Sequence, residues 1–190
     1  MNAPRSRDDQ SSREQEILTA AAALFAQNGY SGTTVRDIGQ RVGLLGGSLY
    51  HYIRSKEALF VKLHERALQE AEDRIRAALD GVEDPWLRLA TACRTLLDIQ
   101  LDPQSLTMPL MNDFRAVPPD VRAQLIVKRD GFEQLFKALV ADLTLADDID
   151  RGVYRLLLLT LLNNSSLWFR PGKLTVEEIA RQIMLLFVRS

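Results

Sequence analysis

Apolar residues recur at intervals of three and four along almost the whole chain, and no stretch alternates as a half-buried strand does. Ile17, Leu18, Ala21, Leu24 and Phe25 share one helical face, and Leu59, Leu63, Ala67, Ala71, Ile75 and Ala78 share another. A helix with one apolar stripe must bury that stripe against a neighbour, so a chain made of such segments packs helix on helix. The expected fold class is all-α.

Capping and breaking residues divide the chain. Asn2, Pro4, Ser6, Asp8, Asp9, Gln10, Ser11 and Ser12 have nothing to bury, so residues 1–12 are expected to be a disordered arm. The first helix ends at Asn28-Gly29 through a left-handed cap. Thr34 with Asp37 reads as a capping box opening a short second helix, whose apolar face is Val35, Ile38 and Val42 and which Gly43 stops. After Leu44-Leu45-Gly46, a third short helix is expected over about Gly47 to Tyr52. Ser55 caps a long fourth helix from Lys56 to about Leu79. Pro85 opens a fifth, reaching about Leu101 before Pro103 ends it. Residues 104–117 are expected to hold one short helix. After Pro118-Pro119, a helix runs from Asp120 to about Leu143 with Gly131 inside it. A helix over about 148–169 precedes the break Arg170-Pro171-Gly172. Thr175 with Glu178 is a second capping box, opening a last helix over 175–188 with Ile179, Ile183, Leu186 and Phe187 on one side.

Composition narrows the function classes. The 190 residues, 46% of them hydrophobic, suffice for a real core. Residues 1–56 hold seven Lys/Arg against five Asp/Glu, and residues 57–190 hold 17 against 20, a mildly basic head on an acidic body. Cys93 is the only cysteine, which excludes an internal disulfide and fits a reducing cytoplasm. Met1 to Arg13 lacks the apolar stretch of a signal peptide. The greasiest run, Leu156 to Leu162, is seven residues long, against the roughly 20 that a membrane helix needs. An enzyme is not expected. The histidines, His51 and His64, are not at metal-ligand spacing, no CxxC pair exists, and no glycine-rich phosphate loop follows a strand. Cys93, on an apolar helix, reads as a small core residue rather than a nucleophile. No metal or cofactor is expected.

The stretch Thr33 to Lys56 is the most informative. Two short helices joined by a tight turn form a helix-turn-helix, whose second helix is free to enter a DNA major groove. Ser48, Tyr50, His51 and Tyr52 supply hydroxyl and imidazole donors for phosphates or base edges, and Gly46 and Gly47 let backbone approach a phosphate. Leu49 and Ile53 face the small core. Lys56 stands where its ammonium and a helix N-terminus can share a phosphate. On spacing alone, a polar surface without such a role explains these residues as well.

Thr33-Thr34-Val35-Arg36-Asp37-Ile38, then Gly43, then Gly47-Ser48-Leu49-Tyr50-His51-Tyr52 and Ser55-Lys56-Glu57-Ala58-Leu59, resembles the DNA-binding head of the TetR family of bacterial repressors. The resemblance implies a helix-turn-helix DNA-binding domain over 13–56 and a helical ligand-binding and dimerisation domain over 57–190. It implies a homodimer on double-stranded, pseudo-palindromic operator DNA, acting as a repressor released by a small molecule. Carried over by position, the DNA contacts would come from Thr34, Arg36, Gly47, Ser48, Tyr50, His51, Tyr52 and Lys56. The turn departs from the family pattern: Leu44-Leu45-Gly46 stands where valine-serine-lysine is common, so a hydroxyl and an ammonium that often touch DNA are missing.

In the body, Val153, Leu156, Leu157, Leu158, Leu159, Leu161 and Leu162 make one helix greasy on nearly every side, so it needs cover on two faces. The resemblance implies that helices about 148–169 and 175–188 pair with their copies in a homodimer. Candidate pocket residues are Trp86, Met108, Met111, Phe114, Phe132, Phe136 and Trp168, with core packing as the alternative for each. Leu167-Trp168-Phe169-Arg170-Pro171-Gly172-Lys173-Leu174-Thr175 and Gly43 to His51 also resemble the TetR regulators that respond to acyl-CoA thioesters. Arg170 and Lys173 would then meet CoA phosphates, or serve as exposed loop charges. Another hydrophobic or aromatic effector, governing an efflux or catabolic operon, is the alternative. A helical interaction module without DNA binding explains the bundle but not the Tyr50-His51-Tyr52 surface.

Overall fold

The computed structural model describes residues 7–102, 116–170, 172 and 174–188. Their regular elements are the helices α1 (Arg7–Asn28), α2 (Val35–Arg41), α3 (Gly46–Leu49), α4 (Lys56–Ala78), α5 (Pro85–Leu101), α6 (Pro119–Ala141), α7 (Arg151–Asn163), α8 (Ser165–Trp168) and α9 (Val176–Phe187). The short helix expected within 104–117 and the stop at Pro103 lie largely outside the described residues.

The first helix begins at Arg7, inside the stretch expected to be a disordered arm. Extending a helix already nucleated costs far less than starting one, so polar residues can continue it. Its end follows the expected chemistry. Gly29 has φ 72°, and its N–H donates to the Phe25 carbonyl at 2.9 Å. Tyr30 then folds back to stack on Phe25, with ring centroids 6.0 Å apart, the apolar contact that accompanies such a cap.

The Thr34–Asp37 capping box opens α2. The turn to α3 depends on Gly39, which the sequence pattern does not single out. A Cβ there would stand 2.9 Å from the Leu44 carbonyl oxygen, and the Leu44 N–H donates to the Gly39 carbonyl at 2.8 Å. Helix α3 is shorter than expected, and Tyr50 to Tyr52 continue as a turn, with the Tyr52 N–H donating to the Leu49 carbonyl at 2.9 Å. Ser55 caps α4 through the Ala58 N–H at 3.1 Å.

The core of this head draws on residues beyond 13–56. Ile17, Phe25, Ile38 and Leu49 pack with Leu59, Phe60 and Leu63 of α4, with Val117 just before α6, and with Val121 and Leu125 of its first turns. Phe60 sets its edge against Phe25 and Tyr30, with centroids 4.9 Å apart in both pairs. Ion pairs Lys62–Glu14 and Lys128–Glu65 tie α4 to α1 and to α6.

In the body, α5 occupies the centre. Leu89, Ala92, Cys93, Leu96 and Leu97 are fully buried among residues from α4, α6, α7 and α9. The continuous helix expected over 148–169 is two helices. Asp150 caps α7 through the Val153 N–H at 2.8 Å, and the helix ends at Asn164, whose side-chain amide donates to the Thr160 carbonyl at 2.8 Å. Asn163-Asn164-Ser165-Ser166 competes for backbone partners, which explains the interruption. Helix α9 opens with the Thr175–Glu178 box. Its inward face holds Ala180, Ile183 and Met184, with Ile179 and Phe187 half-buried against the core. Leu186, expected on the same side, is 72% exposed.

Leu125 is only 1% exposed. Leu125→Ala should cost about 2–5 kcal/mol in urea unfolding. Because Leu125 belongs to the head core, amides of α1 to α3 should exchange faster with solvent, as should those of α6. Faster exchange confined to the body would contradict a shared core.

Candidate nucleic-acid interface

The outward side of α3 is built by opposition to its inward side. Leu49 and Ile53 are buried in the head core, and Leu44 packs against it. The exposed residues are Leu45, Gly47, Tyr50 and His51, with Ser48 half-buried beside them. Arg36 is exposed on the first turn of α2. Thr34 is exposed too, but its hydroxyl is engaged. It donates to Asp37 Oδ2 at 2.7 Å and accepts the Asp37 N–H at 3.1 Å. The Thr34 hydroxyl and N–H together hold the Asp37 carboxyl below its usual range. Tyr52 is half-buried against the head core, so much of its ring serves packing.

Lys56 is positioned by a residue the sequence pattern did not single out. Its Nζ lies 4.1 Å from the centroid of the Tyr30 ring, a cation–π contact. The Tyr30 hydroxyl donates to Glu57 Oε1 at 2.8 Å. Burial, then Glu57, push the Tyr30 hydroxyl far above its usual range, so it remains a donor. The Glu57 carboxyl is held low by its own N–H, then by the Tyr30 and Ser55 hydroxyls. The signal for Tyr30 was its place after Asn28-Gly29, where an apolar side chain packs back on the helix. On the other side of the head, Arg13 Nη2 donates to the Val42 carbonyl at 2.6 Å, capping the end of α2.

Of the residues proposed for a body pocket, Trp86 lies on α5, Phe132 and Phe136 on α6 and Trp168 on α8. Phe132 and Phe136 are core residues with ring centroids 5.9 Å apart, and Trp86 is half-buried against the same core. Trp168 is largely exposed and its Nε1 donates to the Leu161 carbonyl at 3.3 Å. Met108, Met111, Phe114 and Lys173 lie outside the described residues. Arg170 is exposed, its guanidinium donating to the Phe169 carbonyl at 2.7 Å. Cys93 is fully buried, and burial pushes its thiol far above the usual range, which leaves no thiolate nucleophile. Among the described residues no helix is long and apolar enough to cross a membrane.

Residues 17–63 match the family described as bacterial regulatory proteins, tetR family, and residues 82–190 match the tetracyclin repressor-like C-terminal domain. The chain belongs to the TetR family. It is 30% identical to the HTH-type transcriptional repressor KstR2 of Mycolicibacterium smegmatis, over 96% of this chain and 92% of that protein. The match to KstR2 of Mycobacterium tuberculosis is stronger but shorter: 44% identity over 78 residues, 41% of this chain and 39% of that one. AibR, crystallised in complex with isovaleryl coenzyme A and operator DNA, superposes with a TM-score of 0.78 over 92% of this chain and 97% of its own, at 22% identity, a likeness of fold. These curated relatives are transcriptional regulators, and this TetR-family chain is not an enzyme.

One residue of this TetR head lacks an internal reason. A Cβ on Gly47 would meet nothing within 4 Å, and its φ is not left-handed. The head's own packing therefore does not require glycine there. Gly47→Ala should stabilise the protein by about 0.4–1 kcal/mol in thermal unfolding, by restricting the unfolded chain. A loss of stability would show that the fold itself needs this glycine.

Proposed function

We propose that this chain is a cytoplasmic repressor that binds a pseudo-palindromic operator as a homodimer and is released by an acyl-CoA thioester. The observation that carries the reading is the outward side of α3 and the turn after it, where Gly47, Tyr50 and His51 face solvent beside a half-buried Ser48 while Leu49 locks the helix to its core. Tyr50, Tyr52 and Lys56 suit phosphate contacts, which position a protein on DNA without reading its sequence. Thr34 and Arg36 would border the same surface from α2. M. smegmatis KstR2 is named a repressor, and AibR, which shares the fold, was crystallised with isovaleryl coenzyme A and operator DNA; both support the reading.

The dimer reading rests on two apolar faces. Val153, Leu156 and Leu157 on α7 point away from the body core, as do Leu185 and Leu186 on α9. Val153, Leu156 and Leu157 make a stripe along α7, with the Leu185–Leu186 pair exposed on α9, and a second copy of the same surfaces would cover them. Two heads are needed in any case, because half-sites lie about 34–36 Å apart. Helix α4 joins head to body, and α6 packs on both. An effector that binds one arrangement of these helices better than another would shift head spacing away from the operator.

Selection from a random duplex pool with the full chain, followed by fluorescence anisotropy, tests the reading. The protein should recover a two-fold symmetric motif and bind it with a steep salt dependence. Lys56→Ala should lower the salt slope by about one, and Gly47→Ala should weaken binding despite its added stability. Isovaleryl-CoA or longer acyl-CoA thioesters should lower the affinity where free CoA does not. Failure to recover any duplex would overturn the regulator reading. Release only by aromatic compounds would replace the effector class.

In sedimentation, Leu156→Asp should shift the protein to monomer and weaken duplex binding while its circular dichroism stays helical. An unchanged sedimentation coefficient would remove α7 from the interface.

A further inference from the structure

Leu45 is 83% exposed at the leading edge of α3. It occupies the N-cap position, where it makes no side-chain hydrogen bond. Leucine is among the poorest residues there, since serine, threonine, aspartate or asparagine would satisfy a free backbone N–H. The next two residues, Gly46 and Gly47, have no side chains. The preceding Leu44 packs against the head core. An isolated exposed leucine elsewhere on a protein needs no explanation. Here it is the longest side chain on an edge otherwise bare as far as Ser48, and it breaks a local rule without a packing gain.

We infer that Leu45 reads the C5-methyl group of a thymine in each operator half-site; this rests on the DNA-binding reading above. The first residues of a recognition helix are those that reach base edges in the major groove. An isobutyl side chain has no donor or acceptor, so it cannot pair with guanine, adenine or cytosine edges, nor hold a phosphate. Among the four bases, thymine alone presents an apolar group in that groove, and apolar side chains recognise it by contact. Gly46 and Gly47 let the backbone come close enough for a side chain of leucine length to arrive. The departure from the valine-serine-lysine turn thus exchanges polar contacts for a methyl contact.

The experiment compares the full-length wild type with Leu45→Ala, whose melting temperature should be unchanged within a few degrees because the side chain is exposed. Each protein selects duplexes from a random pool. The wild type should favour T·A at one position per half-site, and Leu45→Ala should lose that preference alone. In anisotropy titrations, replacing that thymine by deoxyuridine in both half-sites removes only the methyl groups. It should weaken wild-type binding about fourfold per half-site, the worth of one buried methyl, and leave Leu45→Ala unchanged. Equal losses for both proteins, or identical selected motifs, would overturn the inference while the regulator reading stands. Recovery of no duplex by the wild type would overturn both.

Discussion

Packing of the first turns of α6 on the start of α4 is the contact on which the rest of the molecule depends. Val121 and Leu125 close the apolar cluster that Phe25, Ile38 and Leu49 begin, so the three N-terminal helices do not complete a core by themselves. Helix α4 belongs to both clusters, with Phe60 in one and Ile75 in the other. His64 sits buried between them, its Nδ1 2.9 Å from the Phe60 carbonyl and its ring centroid 4.3 Å from that of Phe60. A head built this way does not pivot independently of α6, because separating them would expose apolar surface on both sides.

Features that the sequence made legible were local. The caps at Thr34, Ser55 and Thr175 and the stop at Gly29 involve partners within a few residues, so their chemistry can be read along the chain. Features that were not legible need a distant partner. Gly39 is required because Leu44 comes back across the turn, and Tyr30 matters because the N-terminal end of α4 arrives beside it. The break at Asn164 lay hidden under the strong apolar periodicity of α7, which outweighed four consecutive residues that favour leaving a helix.

The candidate surface was legible in residue type and less so in availability. Tyr50, His51 and Arg36 are exposed as their patterns imply, whereas the Thr34 hydroxyl is committed to Asp37 and Lys56 is steered by the Tyr30 ring. Two residues on this surface run against local stability: a glycine where alanine fits and a leucine where a capping hydroxyl would serve. Sequences that agree with their fold at every level break local rules mainly where something outside the chain must be met.

Cys93 has a consequence for assembly. The chain's single thiol is sealed in the middle of the bundle, so neighbouring copies have no exposed thiol with which to form a disulfide. The homodimer proposed above would then be held by non-covalent contacts alone, its population set by mass action. If that dimer's dissociation constant lies near the protein's concentration in the cell, gene dosage would become an input to the proposed switch.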